Sequence, residues 1–246
     1  MNEEKQSISS HLADLRKCFI RCLIIGLLAA CICYGFSNIL MEILKKPILD
    51  IMPKNSNLVV LAPYEYFFVE LKASLFFGLL LALPMMFSQI WLFVSPGLYK
   101  NEKKFLLYFV IAATLCFITG VCFAYFLVFP PTFQFFIDTL PPDIVGTYSV
   151  SMLYGFCITI LLGFGVIFQT PLAVFLLIIF NIVSIETFSG LRRYIFVASF
   201  IIGAILTPPD PISQVMLAIP MYCLFEVGLF LAKVCVRKKI PKFIDQ

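Results

Sequence analysis

The stretch Phe105–Phe129, FLLYFVIAATLCFITGVCFAYFLVF, runs for 25 residues without one charged side chain. As an α-helix it would be about 37 Å long, enough to cross a hydrocarbon core of roughly 30 Å. A helix that is apolar on every face has no side to present to water, so it belongs in lipid or deep inside a large core. A large core is not available to a chain of 246 residues that is 61% apolar and only 13% charged. Soluble domains run at roughly 45–50% apolar and about 25% charged. The mean hydropathy of +1.01 agrees. Composition therefore excludes a soluble enzyme, a disordered chain and a disulfide scaffold. It predicts an all-α integral membrane protein.

Working outward from that stretch, further apolar runs mark further helices. They cover about Phe19–Phe36, with Arg21 close enough to its start to snorkel, and about Ala73–Val94, which contains Pro84. The run of about Met152–Ile182 holds Gln169 and Pro171 and needs a kink and tilt to fit the bilayer. Tyr194–Thr207 is only 14 residues, about 21 Å as a helix. Ile212–Leu231 carries Pro220 and Glu226. The prediction is a single membrane domain, residues 1–246, of six transmembrane helices, the last two short and paired as a hairpin. For the fifth run a re-entrant segment is the alternative. The proline-bearing segments 37–72 and 130–151 are expected to cap the outer surface.

Charge sets the orientation. With the N-terminus inside, the inside segments hold 14 of the 18 Lys and Arg residues, and the outside segments hold only Lys45, Lys46, Lys54 and Lys72. Both termini are thus expected in the cytoplasm. Met1–Ser10 is polar and lacks the short apolar core of a cleavable signal peptide, so none is expected to be removed. The nine cysteines include no CxxC pair and read as small buried hydrophobes.

Catalytic chemistry finds little footing. His11 is the only histidine, so neither an HExxH metal site nor a Ser–His dyad within the membrane can form. Walker and dinucleotide motifs are missing, and no aspartate lies inside an apolar run. The expectation is a protein that is not an enzyme and uses no cofactor, metal or nucleic acid. Polar residues at membrane depth point to function by default, and here they are Gln89, Gln169, Gln214 and Glu226. An interhelical hydrogen bond is the structural alternative for each. We adopt it for Gln89 and read Gln169 and Glu226 as functional. On the inside face, Asp14 stands in HLADLR and Glu102 in LYKNEK. Asp14 can form an ordinary surface pair with Lys17. Two isolated carboxylates on a cationic face also suit an arginine-bearing ligand, because a carboxylate accepts two guanidinium hydrogen bonds.

These motifs, taken together, resemble the TatC family, the multi-spanning signal-peptide receptor subunit of the twin-arginine protein translocase. The resemblance rests on His11–Arg16 (HLADLR), Pro84 with Gln89–Phe93 (QIWLF), Ser95–Lys103 (SPGLYKNEK) and the FAYFLVFP core of Phe117–Pro131. Thr207–Gln214 (TPPDPISQ) and Ala218–Glu226 (AIPMYCLFE) complete it in the family's order. It implies a concave six-helix bundle with both ends cytoplasmic, in the bacterial cytoplasmic (inner) membrane. It also implies that Asp14, Arg16, Phe93, Tyr99 and Glu102 receive the twin-arginine signal peptide of folded cargo. Asp14 departs in length from the commoner glutamate. Pro47 and Asp210 match outside-face functional positions. Tyr125, Gln214 and the last two helices match the area where single-span TatA and TatB type subunits dock, with Glu226 as a polar anchor and Met216 as an adaptable contact. Gln169 matches a position usually held by glutamate, and an amide cannot carry a proton. The implied function is transport of folded proteins driven by the proton-motive force, with self-association and lipid as further partners. The alternative is an ion-coupled small-molecule transporter with its site at Gln169 and Glu226.

Overall fold

The computed structural model describes residues 2–53, 56–94, 103–141, 146–206 and 211–239, and the side chains of 13–53, 56–92, 107–141, 146–206 and 214–235. The elements are α1 (Asn2–Tyr34), α2 (Ser37–Leu49), β1 (Asn57–Val59), α3 (Glu65–Val94), α4 (Lys103–Phe123), α5 (Phe129–Asp138) and β2 (Thr147–Ser149). They continue with α6 (Val150–Ile167), α7 (Thr170–Ile179), α8 (Ile185–Gly190), α9 (Arg192–Leu206) and α10 (Pro211–Lys239). Ala13–Tyr34, Glu65–Leu92, Leu107–Asp138, Val150–Ile179 and Gln214–Cys235 are long and apolar enough to cross a membrane. Helix α9, at 15 residues and about 22 Å, is shorter than such a span.

The described chain divides into two compact units. The first comprises Met1–Lys46, Leu58–Leu115 and Thr147–Ile158. Its centre is the antiparallel pair α1–α3. Lipid tails are as apolar as leucine, so burial alone does not drive two such helices together, and close approach through small residues matters instead. Gly78 provides it: a Cβ there would lie 2.5 Å from the Ala30 backbone. Trp91 packs on Phe109 of α4 with ring centroids 4.5 Å apart.

The second unit comprises Pro47–Asn57, Cys116–Gly146 and Thr159–Gln246. Val174 and Ile178 of α7 pack with Phe225, Leu229 and Ala232 of α10, flanked by Phe188 and Tyr222. The same device recurs here, since a Cβ on Gly228 would meet the Pro171 backbone at 2.7 Å.

Four local features differ from, or add to, the expectations above. Between α4 and α5, Ala124–Val128 is a π-turn, closed by the Phe129 N–H bonding to the Ala124 carbonyl. Pro130 and Pro131 follow; neither has an N–H to donate, and in a regular α-helix each ring would clash with the carbonyl four residues back. The wider turn relieves that conflict. The fourth apolar run breaks into α6 and α7 at Phe168–Gln169, two residues before Pro171, and Gln169 stands at the residue just ahead of α7 without capping it through its side chain. The cysteines correct the buried reading: Cys157 is buried, but Cys31, Cys122, Cys223 and Cys235 are exposed. In lipid, an apolar-run cysteine need not enter a protein core. The β1–β2 pair was not foreseen either; strands of three residues leave no readable periodicity.

Candidate functional site

Helix α1 continues unbroken through His11–Arg16, so the acidic motif stands on the same rod as the first apolar run. Its register against α3 comes from the contacts between them. The Cys18 thiol meets the Gln89 carbonyl at 3.4 Å, and the Cys22 thiol meets the Met86 carbonyl at 4.0 Å. Arg21 Nη1 donates to Gln89 Oε1 at 3.5 Å, the interhelical role expected of that amide. Continuing this antiparallel register four residues outward brings position 14 level with position 93. Asp14 is exposed and lies 3.6 Å from Lys17, a pair that water screens to under about 1 kcal/mol. Its carboxylate is therefore accessible to a competing cation, and Arg16 beside it is also exposed. The Phe93 side chain, Tyr99 and Glu102 lie outside the described residues, as does Asp210.

Among the membrane-depth residues, the polar anchors on α10 do not form one cluster. Gln214 Nε2 donates to the Phe200 carbonyl of α9 at 2.9 Å. Twelve residues on, about 18 Å along the helix, Glu226 meets Arg192, the first residue of α9. Arg192 Nη2 donates to Oε2 at 2.9 Å, Nε lies 2.8 Å from Oε1, and the Tyr222 hydroxyl donates to Oε1 at 3.1 Å. Helix α9 is thus held to α10 at its first residue, Arg192, and near its middle, at Phe200. Met216 reaches the α5 segment, where its sulfur accepts from the Thr132 hydroxyl at 4.0 Å. Tyr125 sits on the π-turn and stacks obliquely with Phe129, centroids 6.2 Å apart. Gln169 is half-buried at the α6–α7 break. Pro47 is half-buried in the last turn of α2.

Sequence reasoning passed over Glu65. It is 7% exposed, and its carboxylate gathers hydrogen bonds from Leu61, Ala62, Ser149 and Ser151. A signal was present. Ala62-Pro63-Tyr64-Glu65 sets a proline two residues ahead of α3 and a glutamate three residues after Ala62, the spacing of the acidic half of a capping box.

Membrane-length apolar helices, paired through glycines and carrying a few polar residues at depth, define a multi-pass all-α membrane protein. The family described as Sec-independent protein translocase protein (TatC) matches residues 10–220, and the chain belongs to that family. It is 35% identical over 237 residues to the Sec-independent protein translocase protein TatC of Escherichia coli (strain K12), covering 96% of this chain and 92% of that one. The corresponding protein of Haemophilus influenzae is 36% identical over 231 residues, covering 94% and 90%. A crystal structure of the twin-arginine translocase receptor TatC in the detergent DDM superposes with a TM-score of 0.83 at 34% identity. That match covers 90% of this chain and 99% of the solved one. A second crystal structure of the receptor gives 0.82 at 33% identity, covering 92% and 99%.

Proposed function

We propose that this chain is the receptor and core subunit of a twin-arginine translocase in the bacterial cytoplasmic membrane. It captures the twin-arginine signal peptide of folded cargo at its inside face. With single-span TatA and TatB type subunits, it then moves that cargo across the membrane using the proton-motive force. The observation that carries this reading is the near full-length match in sequence and fold to solved twin-arginine translocase receptors. It favours a translocase over an ion-coupled small-molecule transporter.

The geometry supports the receptor reading at one end of the first unit. Asp14 keeps an accessible carboxylate, and the α1–α3 register brings it level with position 93, from which the chain leads to Tyr99 and Glu102. Six crossings with both termini inside follow when α9 counts as a short span, in keeping with the bias of Lys and Arg. Single-span partners dock along α9–α10, near Gln214, Met216 and Tyr125, with Glu226 fixing the helix pair they meet. Pro47 and Asp210 act on the opposite face.

Capture of a synthetic twin-arginine peptide by the full chain in membranes tests the reading. Glu102→Gln is expected to abolish photocrosslinking of the peptide while the protein stays inserted. A wild-type chain that does not discriminate the twin-arginine peptide from a twin-lysine control would overturn it.

A further inference from the structure

Glu65 is a buried carboxylate whose hydrogen-bond donors, among the described residues, are neutral groups. Such a group is costly in a low-dielectric setting unless its lone pairs are satisfied, and here they are. Oε2 accepts from the Leu61 and Ala62 N–H groups, the latter at 3.3 Å. Oε1 accepts from the Ser149 hydroxyl at 2.6 Å and the Ser151 N–H at 2.8 Å.

The two pairs of donors belong to two helix starts. Leu61 and Ala62 lead into α3, and Ser149 and Ser151 open α6, where the Ser149 hydroxyl oxygen also accepts from the Met152 N–H at 3.4 Å. Every helix start leaves unsatisfied N–H groups and a partial positive charge. One carboxylate serves both starts, across 84 residues of sequence. The strands β1 and β2 pair just ahead of the same two helices. Replacing a buried charge by well-packed apolar groups is often neutral or stabilising. A fully satisfied network of this kind therefore fixes a position more than it adds stability.

We propose that Glu65 is a positioning residue that ties the outer ends of α3 and α6 together, and that the transport step depends on this tie while signal-peptide capture does not. The inference rests on the translocase reading above. The separation of the two steps follows from distance. Glu65 opens α3 and Gln89, beside the capture end, lies 24 residues further on, about 36 Å along the helix. Glutamine cannot substitute: its single carbonyl oxygen replaces two acceptors, and its NH₂ faces groups that themselves donate.

The test uses the full chain with its partner subunits in native membranes, comparing wild type, Glu65→Gln and Ser149→Ala. Three quantities are read: crosslinking of a twin-arginine peptide, transport of a folded twin-arginine reporter, and amide exchange at Leu61, Ala62 and Ser151. For Glu65→Gln, capture is expected to be unchanged, transport to fall about tenfold or more, and exchange at those three amides to rise by a similar factor. Ser149→Ala, which removes one donor, is expected to fall between. Wild-type transport in Glu65→Gln despite faster exchange would overturn the proposal. So would loss of capture together with transport, because Glu65 would then support the whole fold. If the wild-type chain itself captures no twin-arginine peptide, the translocase reading fails instead, and the two failures are distinguishable.

Discussion

Arg192 and Glu226 meet in a two-pronged contact, Nε to Oε1 at 2.8 Å and Nη2 to Oε2 at 2.9 Å, between the first residue of α9 and a residue inside the apolar span of α10. The side chains keep 43% and 33% of their exposure, so solvent moderates the pair. Glu226→Leu or Arg192→Leu alone is expected to destabilise the protein by about 2 kcal/mol, since each leaves a charge without its partner. The double variant, lacking both charges, is expected to recover part of that loss. A double-mutant cycle on unfolding in detergent checks this, and strict additivity would remove the pair from any account of the hairpin.

Gly228 lies against Pro171, whereas Gly155 has open space around the position a Cβ would take. Gly228→Ala is expected to cost about 1–3 kcal/mol through overpacking of α10 on α7. Gly155→Ala is expected to be neutral or slightly stabilising, because alanine favours helix over glycine by about 1 kcal/mol. Melting temperatures of the two variants in the same detergent separate the cases, and equal shifts would refute the close-packing argument.

Gln169 stands at the break in the fourth span, immediately ahead of α7, and is half-buried. Its amide can donate and accept but not ionise in the working pH range. Gln169→Leu is therefore expected to lower export several-fold by about 1–3 kcal/mol of lost polar satisfaction. Gln169→Glu is expected to retain export. Reporter export in cells carrying each variant decides. Full activity of the leucine variant would reduce the residue to helix packing.

Met216 accepts from the buried Thr132 hydroxyl and remains partly accessible on α10. Met216→Trp adds bulk where a single-span partner is proposed to dock. Copurification of partner subunits is expected to fall while binding of the twin-arginine peptide stays near wild type. Parallel loss of both would indicate a misfolded chain.

How much of this was legible beforehand depends on the physics behind each feature. Long apolar runs such as Phe105–Phe129 are read from the side chains alone, because every residue in them independently favours lipid. The pairing of Arg192 with Glu226 was not legible. Arg192 enters a sequence reading only as a topology charge, and nothing local says which carboxylate it will meet 34 residues later. Gln89 and Gln214 were visible as polar residues in apolar runs, but their partners were not. Glu65 escaped because it lies in a segment where charge is unremarked, although Pro63 and Ser149 each announce a helix start. Asp14 and Glu102 were legible as isolated carboxylates on a cationic face suited to an arginine-bearing ligand, and the family's other motifs then specified that ligand.

The π-turn has a consequence for which changes of length this chain tolerates. The buried positions Ala113, Phe117, Gly120, Ala124, Val128 and Thr132 advance 19 residues over five repeats. An ordinary α-helix completes five turns in about 18. The surplus is one residue, and the widened turn at Ala124–Val128 absorbs it. Phe126 and Leu127 face outward at 66% and 59% exposure, so other apolar side chains should serve there as well. Deleting either one is a different matter. It would restore regular hydrogen bonding upstream of the prolines yet swing every later side chain by about 100°, taking Thr132 and Phe133 off the buried stripe. This segment should therefore drift freely in spelling while its residue count stays fixed.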